Sequence, residues 1–296
     1  MNETIKIAVI GGSGLGEALH ADDATEHFPD TPFGKPSAPI LETTLDGVPV
    51  LLLRRHGIGH VHNPSAVPYR ANVFALKQLG ATHVLASGAV GSLRETMEPR
   101  HLVLPDSTID KTTKRANTFY EHAAVHVGFD EPFCPVLRKL LADAAAEVEG
   151  VTLHDRGTYV CMEGPSFSTK AESHMHRLWG GDLIGMTLMP EARLAREAEL
   201  PYAAVCLVTD YDCWRPHDAS QGPQDLLTEI IGHLKAATAN AMSLLRAALA
   251  MSSTRTDELL VCPARDALAL GIWSDKSKID PAEIERLEPL WGRHFG

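Results

Sequence analysis

Short, almost wholly apolar runs recur along the chain at residues 5–10, 48–53, 82–86, 101–104, 158–162, 183–186 and 203–209. Each is too short for a buried helix, and most end in small or polar residues. Such runs, rich in Val, Ile and Leu, read as strands buried on both faces. Between them, helical spacing covers residues 69–79, 136–148, 169–178, 190–199 and 226–251. Val73, Leu76 and Leu79 share one side of the first of these helices, and Gly80 is its natural stop. Alternating strands and helices predict an α/β fold, a mixed β-sheet flanked by helices. No linker, repeat or low-complexity tract interrupts residues 1–250, so a single domain is expected over 1–251. Residues 252–296 are expected to form a C-terminal helical extension packed on that domain, with short helices at 266–272 and 281–287.

The formal charge of −11 argues against general nucleic-acid binding, which needs a basic surface. One buried anion site is still allowed, because it needs only a few local donors. The apolar run at 203–208 is far too short to span a bilayer, and the first residues lack the pattern of a signal peptide. Cys134, Cys161, Cys206, Cys213 and Cys262 are odd in number and form no CxxC pair, which reads as a set of reduced thiols. A cytoplasmic protein with no membrane partner is the expectation.

Two loops could hold an anion. Gly11-Gly12-Ser13-Gly14-Leu15-Gly16 follows the first strand, but it has neither the GxGxxG spacing of a dinucleotide site nor the Lys of a P-loop. Its glycines can still present backbone N–H groups, and Ser13 adds a hydroxyl; an ordinary tight turn would use the same residues. The segment 87–92, Ser-Gly-Ala-Val-Gly-Ser, reads as a second small-residue loop. Arg54-Arg55-His56-Gly57 ends an apolar strand with guanidinium beside imidazole, which suits a phosphate clamp or a solvated strand end. His56, His60 and His62 raise the question of a metal, but Gly57 and Gly59 disfavour a helix that would align them and no HExxH set accompanies them. No metal site is expected.

Thr209-Asp210-Tyr211-Asp212-Cys213-Trp214 places two carboxylates two residues apart after a strongly apolar strand. If strand geometry persists, both lie on one face. A partly buried Asp beside a second carboxylate can hold a proton and offer it to a departing group. A solvated acidic turn and a metal-binding pair are the alternatives.

These pieces together resemble the S-methyl-5′-thioadenosine phosphorylase branch of the purine nucleoside phosphorylase superfamily. The matching blocks include Ile10-Gly11-Gly12-Ser13-Gly14-Leu15, Thr31-Pro32-Phe33-Gly34-Lys35-Pro36-Ser37, Arg55-His56-Gly57, Tyr69-Arg70-Ala71-Asn72 and Ala89-Val90-Gly91-Ser92-Leu93-Arg94. Glu131-Pro132-Phe133-Cys134-Pro135, Glu163-Gly164-Pro165, Gly185-Met186-Thr187, Leu194-Ala195-Arg196-Glu197-Ala198 and the segment 209–214 follow in order. The resemblance implies phosphorolysis of methylthioadenosine or a related 6-aminopurine nucleoside, no cofactor, phosphate as co-substrate and a homotrimer. It implies phosphate contacts from Ser13, Arg55, His56, Gly88, Ala89 and Thr187. Met186 would lie under the ribose, Phe167 and Ser168 at the purine, Asp210 facing N7 and Asp212 near the 6-amino group. His126 resembles a residue that a neighbouring subunit lends to the sugar.

Three departures stand out. Gly88 occupies a position where relatives often carry Ser or Thr, a loss that Ser87 or a backbone N–H could offset. Ser166 replaces a common Arg, and Ser220-Gln221-Gly222-Pro223-Gln224 replaces an apolar stretch near the 5′ group. The rival readings are a hydrolytic nucleosidase, a phosphorylase preferring 6-oxopurines, and a nucleotide-binding regulator without catalysis.

Overall fold

The computed structural model describes residues 4–18, 23–45, 47–216 and 222–296. Their strands are β1 (Ile7–Gly11), β2 (Thr25–His27), β3 (Ile40–Leu45), β4 (Val48–Arg54), β5 (His83–Ser92), β6 (Leu102–Val103), β7 (Ser107–Asp110), β8 (Leu153–His154), β9 (Thr158–Cys161), β10 (Leu183–Gly185) and β11 (Tyr202–Asp210). The helices are α1 (Leu15–Ala18), α2 (Tyr69–Gln78), α3 (Pro135–Ala145), α4 (Lys170–Leu178), α5 (Leu188–Glu197), α6 (Pro223–Ser252), α7 (Thr256–Leu260), α8 (Pro281–Arg286) and α9 (Glu288–Trp291). All the strands join one mixed sheet in the order β2-β3-β4-β1-β5-β10-β9-β7, while β11 pairs with both β5 and β6, and β8 extends β6. The expected mixed sheet flanked by helices is what forms.

Strand alternation explains why the apolar runs are unbroken. In β1, Ala8 and Ile10 enter one core while Ile7 and Val9 enter the other; in β11, Ala204, Cys206 and Val208 oppose Ala203, Val205 and Leu207. One core is closed by Val73, Phe74 and Leu76 of α2, Ala192 and Ala195 of α5 and Trp291 of α9. The other is closed by Leu137, Leu140 and Leu141 of α3 and Ala237, Ala241 and Leu244 of α6. A sheet covered on both faces has no polar face to encode.

The segment 87–92 is strand, not loop. β5 runs through it to Ser92, parallel to β1 and β11 and antiparallel to β10. Gly88, Ala89 and Gly91 do not break the strand, because pairing with β11 on one side and β10 at its end satisfies the backbone. The short strands β2, β3, β7 and β8 carried too little periodicity to be read.

Past α6 the chain packs back on the same two cores, with Leu259, Cys262 and Ala264 in one and Leu268, Ile279, Leu287, Leu290 and Trp291 in the other. The expected helix at 266–272 is instead a 3-10 turn over Pro263–Asp266, with turns beyond it. The reading of all cysteines as reduced thiols also needs correction. Cys134 and Cys262 form a disulfide across 128 residues of sequence, joining the start of α3 to the chain after α7. Such a separation hides the pairing until the fold brings the two segments together. Cys161, Cys206 and Cys213 are free thiols.

Candidate active site

One cavity of about 470 Å³ gathers Ser13, His56, Gly88, Ala89, Phe167, Ser168, Met186, Thr187, Asp210 and Asp212, brought from six separate stretches of sequence. β5 forms its spine. Gly88 lies beside Thr187, whose Oγ1 is 3.7 Å from where a Gly88 Cβ would stand, and beside Gly12 of the first loop. Gly91, three residues on, lies against Asp210 Oδ1 and Asp212. The two clusters are therefore roughly 10 Å apart along the strand, which leaves room for a phosphate, a sugar carbon and a purine in line.

At the Gly88 end the donors are neutral. Arg55 does not line the cavity, contrary to the expected direct clamp. Its side chain is fully buried, with Nε and Nη2 each donating to Glu191 at 2.7 Å and Nη1 donating to the Ser87 carbonyl at 2.6 Å. The guanidinium lies instead directly beneath Gly12, where an added Cβ would stand 2.6 Å from both Arg55 Nη1 and the Ser87 carbonyl oxygen. Only glycine fits between loop and guanidinium. Ser87 cannot replace a hydroxyl missing at Gly88, because its Oγ is buried and accepts the Gly12 N–H at 3.1 Å.

His56 does line the cavity. Burial first, then the adjacent Arg55 charge, push its imidazolium down to a pKa of about 4. Its Nδ1 donates to the His62 carbonyl at 2.8 Å, which leaves Nε2 as an acceptor. His60 stacks on the ring at 4.2 Å. Among the described residues, no group of three or more His, Cys, Asp or Glu side chains is placed to hold a metal.

The carboxylate end is built by an irregularity. The β5–β11 register shifts between Val208 and Asp210, and Asp212 then takes a left-handed conformation with φ of 50°. The two aspartates thus share the cavity through a bulge and a turn, not through strand alternation. Asp210 Oδ1 accepts the Asp212 N–H at 2.7 Å, and Oδ2 is 2.6 Å from Thr209 Oγ1. That hydroxyl also reaches the Val90 carbonyl at 3.2 Å. A hydroxyl has one proton, so Thr209 either donates to ionised Asp210 or donates to Val90 and accepts from protonated Asp210. Both protonation states of Asp210 are accommodated without rearrangement. Asp212 Oδ2 is buried and accepts no hydrogen bond among the described residues, so this carboxylate is short of donors there. Trp214 holds the turn, its Nε1 donating to the Ser92 carbonyl at 2.8 Å under the Arg177 guanidinium.

Met186 forms a wall against Gly164, whose φ of 65° and 2.6 Å clearance to Sδ leave no place for a side chain. Phe167 stands at the mouth, 84% exposed, with its ring face open. His126 is outside the cavity, exposed and packed edge-on to Trp273 at 4.8 Å. Its loop is ordered by the C-terminal segment, the His126 N–H donating to the Gly271 carbonyl at 2.8 Å and the Trp273 N–H to the Ala124 carbonyl at 2.9 Å. In the altered 5′ segment, Ser220 and Gln221 lie outside the described residues, but Ile230 and Leu234 of α6 bring apolar surface to the cavity.

Residues 6–250 match the family model described as the phosphorylase superfamily. The chain belongs to that superfamily. An S-methyl-5′-thioadenosine phosphorylase from Synechocystis sp. is 44% identical over 293 residues, covering 98% of this chain and 87% of the relative. A second from Cereibacter sphaeroides is 46% identical, with 97% of each chain covered. A methylthioadenosine phosphorylase from an antarctic soil metagenomic library superposes with a TM-score of 0.87 at 39% identity, covering 97% of this chain and 99% of that one. The Schistosoma mansoni methylthioadenosine phosphorylase in complex with adenine gives a TM-score of 0.83 at 33% identity, covering 91% and 99%.

Motif reading did not find every residue that this superfamily member's site depends on. Glu191 could have been suspected as a lone acid among apolar neighbours at the start of α5; Arg115 and Glu163 gave no signal of their joint role.

Proposed function

We propose that the chain cleaves methylthioadenosine, or a close 6-aminopurine nucleoside, with inorganic phosphate to give adenine and 5-methylthioribose 1-phosphate. The observation that carries this is one cavity with neutral oxyanion donors at Gly88 and two carboxylates, Asp210 and Asp212, at Gly91. Ser13, Thr187 and the backbone of Gly88 and Ala89 would hold phosphate below the sugar. His56 Nε2, an acceptor, suits the P–OH of hydrogenphosphate. A phosphate oxygen attacks the anomeric carbon as its bond to purine N9 breaks, and the bonding pair leaves with the base. Holding the reactants together makes the step effectively intramolecular. Asp210 stabilises the leaving purine at N7, with Thr209 adapting to the proton's position. Asp212 then receives the 6-amino hydrogens, and Phe167 offers the purine a stacking face. Ile230 and Leu234 favour an apolar 5′ substituent over a hydroxyl.

No cofactor enters this scheme, and the acidic charge suits a small-molecule substrate better than a nucleic acid. We place the enzyme in the cytoplasm as a homotrimer. Exposed Leu270 and Trp273 beside His126 offer a surface by which one subunit completes its neighbour's sugar site. A phosphate-dependence assay with methylthioadenosine, adenosine and inosine tests the reaction. Base release should need phosphate and should favour the 6-amino substrates; equal release without phosphate would mark a nucleosidase. Light scattering that found a fully active monomer would rule out the trimer.

A further inference from the structure

Arg115 lies outside the cavity yet grips three of its walls. Its Nη1 donates to the carbonyls of Met186 and Met189 at 2.5 and 2.6 Å, and Nη2 donates to the Glu163 carbonyl at 2.7 Å. Nε lies 3.2 Å from both Ser65 Oγ and Glu163 Oε1. The Tyr69 ring sits 5.6 Å from the guanidinium carbon, and Tyr69 OH donates to the Pro64 carbonyl at 2.7 Å. Three segments distant in sequence are thereby fixed to one planar group. Of their residues, Pro64, Pro165, Met186 and Thr187 line the cavity.

We propose that Arg115 is a positioning residue that sets the sugar and phosphate end of the site, an inference resting on the phosphorylase reading above. Met186 and Thr187 occupy the short link between β10 and α5. β10 pairs with β9 and the Thr187 N–H donates to Tyr159 OH at 3.2 Å, which holds the link from the sheet side. The guanidinium ties it from the other side to the Glu163 carbonyl, two residues before Pro165. Glu163 completes the clamp by accepting from Ser65 Oγ at 2.6 Å and from the Thr113 and Lys114 N–H groups at 2.7 and 3.1 Å. Burial works to raise the Glu163 carboxyl, but these donors and the Arg115 charge outweigh it and hold its pKa at about 2. The clamp is therefore charged on both sides throughout the neutral range.

Lysine cannot reproduce it, because one ammonium lacks the planar fork that reaches the Met186, Met189 and Glu163 carbonyls together. The purine end is held by other groups: Asp210 by Thr209 and Asp212, and Ser168 by Cys213, whose Sγ donates to the Ser168 carbonyl at 3.2 Å. A fault in the clamp should therefore separate the two ends of the site.

The experiment compares wild type, Arg115→Lys and Glu163→Gln by phosphate KM and kcat, and by calorimetric adenine affinity. Arg115→Lys should lose about a hundredfold in kcat/KM for phosphate, the scale expected when a reacting group shifts by an ångström. Its adenine affinity should stay within about threefold, by the separation of supports just described. Glu163→Gln keeps the Arg115 bonds to Met186 and Met189 and should lose less, in the same direction. Parallel loss of adenine affinity, or unchanged phosphate kinetics, would overturn the proposal. If Arg115→Lys does not fold, Glu163→Gln decides by the same criterion. Phosphate-independent base release by the wild type would overturn the phosphorylase reading instead, a separate result.

Discussion

Arg55 and Glu191 face each other in a two-point ion pair that solvent does not reach, both hydrogen bonds at 2.7 Å. Tyr202 OH donates a third bond to Glu191 at 2.8 Å, and Ser87 takes the remaining Arg55 contact. The pair ties the end of β4 to α5 and to the spine strand β5 beneath the Gly12 loop. Removing one member leaves a buried charge unpaired, so Glu191→Ala should cost about 3–5 kcal/mol of stability. Arg55→Met combined with Glu191→Leu should cost less than the two single changes together. Urea unfolding measures both, and a loss below about 1 kcal/mol for Glu191→Ala would show the pair to be unimportant.

Because Gly12 lies on that guanidinium, a methyl there must push the Ser13 loop outward. Gly12→Ala should raise phosphate KM about tenfold or more while sparing adenine binding, since displacement of an oriented donor is costly. Steady-state kinetics with varied phosphate is the measurement; an unchanged KM would place Ser13 outside the phosphate site.

Base choice should follow the two aspartates. Asp210→Asn should reduce methylthioadenosine turnover by about 10²–10⁴, the range for loss of an acid–base group. Asp212→Asn should instead favour inosine, whose 6-oxo group meets the Asp212 carboxylate acceptor to acceptor in the wild type. Comparable wild-type efficiency on inosine and methylthioadenosine would contradict this assignment.

His56 titrates near pH 4, so it is neutral in the working range and its ionisation should not shape phosphate binding above about pH 5.5. Once phosphate's own ionisation is taken into account, log(kcat/KM) for phosphate should be flat from there to about pH 7.5. A break near the ordinary histidine value, abolished by His56→Gln, would mean that the imidazole binds phosphate as a cation.

Glu197 is buried where its Oε2 accepts the Phe119 N–H at 2.8 Å. Burial outweighs that bond and raises the carboxyl to a pKa of about 7. Between its unfolded value and about 7 the native state holds a proton that the unfolded chain has lost, so stability falls as pH rises through that window. Glu197→Gln should therefore gain about 1–3 kcal/mol over wild type at pH 8 relative to pH 5. Thermal melts at the two pH values test the sign.

Much was legible without coordinates. The runs at 5–10, 48–53 and 203–209 became β1, β4 and β11, because a strand buried on both faces must be apolar at every position. Helices α2, α3, α4 and α6 were marked by periodicity and by the prolines and glycines at their ends. Ser13, Gly88, Thr187, Met186, Phe167, Ser168, Asp210 and Asp212 were each singled out, and the fold brings them to one cavity. A local motif can specify donor chemistry and backbone freedom without its long-range partners.

Orientation and partnership were settled only by the tertiary structure. Arg55 ends a strand like any phosphate clamp, yet an acid 136 residues away captures it. The small residues of 87–92 look like loop until β10 and β11 satisfy their backbone. Cys134 and Cys262 meet only because α6 returns across α3. Arg115 has no distinctive neighbours in sequence, and its partners are carbonyls of two other segments and side chains of a third. Each of these facts concerns where a long-range partner lies. Short-range propensity carries no information about that; it is fixed when the two cores close on the sheet.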